Sequence, residues 1–123
     1  MRNAYGDKRD EVNHFLTELK DHIDGGGKIQ FVDRVETQQT FIELEITGKV
    51  FIDEVYSLNI GNYSAGPDED RDRKNGNIWV FGKEINGYEC YIKIKLYNIG
   101  GTDFYKCISF HKSSHQMDYP LKK

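Results

Sequence analysis

The last third of the chain, residues 77–112, reads NIWVFGKEINGYECYIKIKLYNIGGTDFYKCISFHK. Three runs within it, NIWVFGKEI, YECYIKIKLY and FYKCISFH, are rich in aromatic and β-branched residues and carry alternating patterns. The first two are separated only by Asn86 and Gly87, the residue pair that a tight two-residue hairpin turn demands. NIGGTD separates the second run from the third. The pattern predicts an antiparallel three-stranded meander. Whatever precedes it must cover one face of that sheet.

The upstream residues supply the cover. From about Lys8 to Asp24, Val12, Phe15, Leu16, Leu19 and Ile23 recur at helical spacing opposite a charged face, and Gly25 follows as a stop. KIQFVDR predicts a short early strand, and VETQQTFIELEI and KVFIDEVYSL predict two further helices broken near Thr47 and Gly48. The run from Asn59 to Gly76, NIGNYSAGPDEDRDRKNG, predicts an irregular loop. The expected fold is therefore α+β. Three helices pack on one face of a mainly antiparallel sheet, made of the C-terminal meander plus one early strand.

With 123 residues, the chain is expected to form a single domain over 1–123. The tail, residues 112–123, either is mobile or covers an edge of the site. GGGK, Gly25 to Lys28, is not a phosphate loop, because it leaves a helix and enters a strand rather than the reverse. The acids Asp68, Glu69, Asp70 and Asp72 miss calcium-loop spacing and interleave with Arg71 and Arg73, which favours a solvated loop over a metal site. The two cysteines, Cys90 and Cys107, fall in strands and read as reduced packing residues. No apolar run is long enough to cross a bilayer, and the first residues lack the apolar stretch of a signal peptide. A cytoplasmic protein is expected, with no membrane partner.

Net charge is −3, but it is unevenly spread: residues 74–123 hold eight lysines and four acids, whereas residues 1–73 hold nine basic and sixteen acidic residues. Such asymmetry suggests a basic working face on an acidic frame. Strand alternation places Cys90, Ile92, Ile94 and Leu96 on one side of the middle strand, and Tyr91, Lys93, Lys95 and Tyr97 on the other. In the last strand Ile108 and Phe110 oppose Cys107, Ser109 and His111. In the first, Ile78 and Val80 oppose Trp79, Phe81 and Lys83. The face turned away from the helices is then expected to carry Trp79, Lys83, Tyr91, Lys93, Lys95, Ser109 and His111. Lysine and tyrosine are ordinary residents of an exposed sheet face. This mixture is also sufficient for RNA cleavage without a metal or cofactor. Aromatic planes stack on bases, lysines meet phosphates, and a histidine moves a proton near neutral pH.

The stretch IWVFGKEINGYECYIKIKL, followed by CISFH and YPLK and preceded by NYSAGPDEDRDR, resembles the MqsR ("motility quorum-sensing regulator") family. These are the mRNA interferase toxins of type II toxin–antitoxin systems. The order helix, strand, two helices and three strands also fits that family. The resemblance implies a RelE-like fold, endoribonuclease activity on mRNA, and a cognate antitoxin with zinc-binding and DNA-binding parts. It implies catalytic roles for Tyr91, matching a family tyrosine, and for His111, which stands where the best-known members carry a lysine. Val80 occupies the place of a family glutamine, leaving Lys83 as the nearest polar catalytic candidate. Lys93, Lys95 and Trp79 are candidates for binding RNA and its phosphates, with Arg71 and Arg73 as substitutes for a family lysine. A non-catalytic RNA- or protein-binding module on the same fold, or a neutralising partner of another toxin, are the alternatives.

Overall fold

The computed structural model describes residues 4–70 and 75–122, with side chains from residue 8 onward. Helix α1 spans Ala4–Asp24, a turn longer at its start than the spacing of apolar residues predicts. Val12, Phe15, Leu16 and Leu19 are all buried along one stripe. The helix stops at Gly25 and Gly26, the latter at φ +85°, a conformation that glycine adopts without steric cost. Strand β1, Ile29–Phe31, follows. Helix α2 covers Val35–Glu43 and is shorter than its apolar stripe suggests; Leu44 and Ile46 are buried beyond its end, after the chain turns through Glu45 at φ 56°. Helix α3, Gly48–Tyr56, is capped by Thr47, whose hydroxyl accepts a hydrogen bond from the Val50 N–H at 3.2 Å.

The sheet has five strands, ordered β1-β5-β4-β3-β2. Strands β3 (Asn77–Ile85), β4 (Tyr88–Ile99) and β5 (Thr102–Lys112) form the expected meander. All neighbouring pairs are antiparallel except β1 with β5. Strand β2, Tyr63–Glu69, is a correction to the expected loop. It pairs with the outer edge of β3 through two register irregularities and contains Pro67. Its sequence carries little strand propensity. The buried Tyr63 anchors it, and the unpaired edge of β3 supplies the hydrogen bonds.

All three helices feed one side of the sheet. Phe15 of α1 stacks on Trp79 at 4.5 Å and on Phe81 at 5.9 Å. Phe51 of α3 and Phe41 of α2 both meet Phe110, each at 5.5 Å between ring centroids. Beyond the short β1, α2 seals the free edge of β5. There the Lys112 N–H donates to Thr40 Oγ1 at 3.1 Å. Among the described residues no helix is long and apolar enough to cross a membrane.

Candidate functional site: the uncovered face of the sheet

Register decides which side chains the helices leave uncovered. Tyr91 lies opposite Gly82 on β3 and opposite His111 on β5. Lys93 lies opposite Val80 and Ser109, and Lys95 opposite Ile78 and Lys106. These residues form the open face. Trp79, Phe81 and Lys83 lie opposite Ile94, Ile92 and Cys90, on the helix side. This corrects the expected placement of Trp79 and Lys83. Both alternating sets of β3 are apolar, and burying the larger rings removes more surface from water. Trp79 is only 6% exposed within the core. Lys83 is held by Glu54 of α3 at 2.6 Å and donates to Ser57 Oγ at 2.6 Å. Neither residue reaches the open face.

The last strand departs from simple alternation too. The pairing slips between Lys93 and Ile94, so that Ile108 is an extra residue between Cys107 and Ser109. Cys107 turns into the core, 1% exposed, while Ile108 joins Lys106 and Lys93 in lining a hollow on the open side. Ile108 and Cys107 thus exchange the faces expected of them. Both cysteines are free and buried.

His111 and Tyr91 are stacked, with ring centroids 5.4 Å apart and planes 15° from parallel. His111 Nδ1 lies 2.9 Å from the Lys112 carbonyl oxygen. A carbonyl only accepts, so Nδ1 is the donor in this contact, and in the neutral ring the lone pair falls on Nε2. Burial raises the Tyr91 phenol above its ordinary range, which keeps it protonated at neutral pH. One rung along β4, Lys93 has no ion-pair or hydrogen-bond partner among the described residues. Lys95 differs: its ammonium meets Asp70 at 2.5 Å, with the two side chains 8% and 11% exposed. That pair is closed to a ligand in a way Lys93 is not.

Two further cations, Arg34 and Lys106, share with Lys93 and Lys95 a hollow of about 260 Å³ whose apolar walls include Ile78 and Ile108. The pattern of the sequence conceals both. Arg34 precedes a helix, and simple alternation puts Lys106 on the core side. Arg71 and Arg73 lie outside the described residues.

The tail frames the other end of the face. Glu89 accepts hydrogen bonds from the Met117 N–H at 3.0 Å and from the Tyr119 hydroxyl at 2.7 Å. A Cβ on Gly82 would lie 2.6 Å from Met117 Sδ and from Tyr119 Oη, so a side chain there would push both tail residues aside. Met117 and Leu121 are buried, and Arg9 donates to the Leu121 carbonyl at 3.1 Å. Compared with family models, curated proteins and solved structures, the chain has no match.

Proposed function

We propose that this protein is an endoribonuclease that needs no metal, with His111, Tyr91 and Lys93 on the open sheet face as its working groups. The observation that carries the proposal is the stacked Tyr91–His111 pair, whose Nδ1 contact leaves His111 Nε2 as a proton acceptor. In the reaction, Nε2 takes the proton of a ribose 2′-OH as that oxygen attacks the neighbouring phosphorus. The Lys93 ammonium offsets charge developing on the phosphoryl oxygens. The P–O5′ bond breaks as the Tyr91 hydroxyl gives its proton to the departing oxygen, and the proton held on His111 Nε2 then returns to Tyr91 through solvent. The products are a 2′,3′-cyclic phosphate and a 5′-hydroxyl end. With the sequence resemblance to MqsR, this chemistry supports a RelE-like cytoplasmic toxin that cleaves mRNA and is held in check by a cognate antitoxin.

The test is incubation of the purified protein with a long mRNA of varied sequence in excess EDTA. Cleavage leaving cyclic phosphate ends, lost in His111→Ala, is the expected result. Intact RNA overturns the nuclease reading. Equal cleavage by His111→Ala overturns the role of His111. A specific observation favours the second reading, RNA binding without cleavage. Lys83 is engaged by Glu54 and Lys95 by Asp70, which leaves fewer cations for the transition state. Salt-dependent binding of an RNA that is never cut would select it.

A further inference from the structure

We infer that the Tyr97–Phe104 ring pair, at the far end of the open face, is a stacking platform for a base of single-stranded RNA. The two residues are direct cross-strand partners, with ring centroids 5.5 Å apart and planes 22° from parallel. Tyr97 shares its face with Tyr91, Lys93 and Lys95, away from the helices, and Phe104 is 37% exposed. The ammonium of Lys95 lies 5.4 Å from the Tyr97 ring centroid, and that of Lys106 lies 5.7 Å away. Asp70 neutralises Lys95, so Lys106 is the cation available to a phosphate beside the platform. Both ammonium groups lie over the Tyr97 ring, so the more exposed Phe104 offers the plane for a base and Lys106 the charge for its phosphate.

Four same-face rungs of β4 and β5 run from one end to the other: Tyr91 with His111, Lys93 with Ser109, Lys95 with Lys106, and Tyr97 with Phe104. Same-face positions recur every two residues, so the platform lies about 20 Å from the histidine. A stacked single strand covers that in about six nucleotides and an extended one in fewer. Charge sets the path. Asp68 and Glu69 are exposed on the β2 rim, whereas Lys93, Lys106 and Arg34 line the hollow between the two aromatic pairs. A polyanion therefore follows β4 and β5 rather than crossing β2.

This inference rests on the proposed reading of the face as an RNA site. The experiment measures fluorescence anisotropy of a 12-nucleotide single-stranded RNA and of a trinucleotide, on His111→Ala protein so that neither is cut. Phe104→Ala should weaken the 12-mer about tenfold, leave the trinucleotide unchanged, and leave the salt dependence unchanged because no charge is lost. Phe104→Tyr should bind like the parent, and Phe104→Leu, which retains apolar bulk to support the fold, like Phe104→Ala. If Phe104→Ala and Phe104→Leu both bind the 12-mer as the parent does, or weaken both RNAs equally, the platform is wrong while the cleavage site stands. If the parent binds neither RNA, both readings fall together.

Discussion

The two faces of this sheet are built from the same three strands by opposite rules. On the helix side, Trp79, Phe81, Ile92, Ile94 and Phe110 are nearly or completely buried, and the three aromatic rings among them meet rings from the helices. On the open side, Tyr91, Lys93 and His111 are only partly buried. The helix side spends its residues on removing surface from water. The open side keeps Tyr91, Lys93 and His111 in reach of solvent, placed by strand register and by the Tyr91–His111 stack rather than by a packed core. Stability and chemistry can therefore be perturbed separately, which allows the contrast to be broken one face at a time.

The largest effect is expected from the helix side. Phe110→Ala empties a fully buried ring position that contacts two helices, and should cost about 4 kcal/mol in denaturant unfolding. A cost under about 1 kcal/mol would mean that the helices do not depend on this ring. The open side is not wet throughout: it holds the buried Lys95–Asp70 pair. Lys95→Ala removes the ammonium that meets the buried Asp70 carboxylate and should cost about 3 kcal/mol, while Lys95→Met combined with Asp70→Asn should recover part of that loss. If the single variant is neutral, the pair is better solvated than its burial indicates.

That pair also marks how much the sequence discloses. The meander was legible because alternation and the Asn86-Gly87 turn are local signals. The facing of Tyr91 and His111 required only that β4 and β5 meet in one register, which the Gly100 and Gly101 turn, at φ 59° and 89°, makes possible. Choosing the buried face of β3 was a different problem. Ile78 and Val80 compete with Trp79 and Phe81, and ring volume rather than polarity decides. The irregularity at Ile108 left one trace: simple alternation puts Lys106 among core residues, a conflict that a bulge resolves. Strand β2 left almost none, since its pairing follows from the needs of β3 rather than from its own residues. The partnership of Asp70 with Lys95 is a long-range contact that no local pattern encodes.

The tail sharpens the contrast, because it packs against both sides of the sheet's end. Gly82→Ala drives a methyl into Met117 and Tyr119, and should cost about 1–2 kcal/mol while making residues 113–122 more susceptible to proteolysis. Unchanged proteolysis would show that the Glu89 hydrogen bonds and the buried Leu121 hold the tail without close packing on Gly82.

Raising the pH acts on the helix side. Burial pushes Cys107 up from 9.0 to about 12, and Cys90 to about 11. With folded values raised, the unfolded chain gives up its thiol protons first. Stability is therefore complete below about pH 9 and declines above it, by at most about 1.4 kcal/mol per pH unit for each thiol. Urea midpoints measured from pH 8 to pH 10 should fall, and Cys107→Ala should flatten the decline. Midpoints that rise with pH would contradict the burial of both thiols.

The smallest effect on the fold should come from the residues that matter most to the proposed chemistry. His111 contributes a stacked cross-strand contact with Tyr91 and a hydrogen bond to the carbonyl of the next residue. Replacing it by alanine removes one partly exposed pair, worth about 0.5 kcal/mol. The same change removes the proton acceptor, for which a loss of about a hundredfold or more in cleavage rate is expected. Measured on one preparation, a nearly unchanged unfolding midpoint beside a collapsed rate would separate the two faces cleanly. A loss of several kcal/mol instead would make His111 a structural residue, and the rate of the variant would then report unfolding rather than chemistry. Tyr91→Phe serves as the internal control, since it keeps the ring stack and removes only the hydroxyl whose proton burial retains.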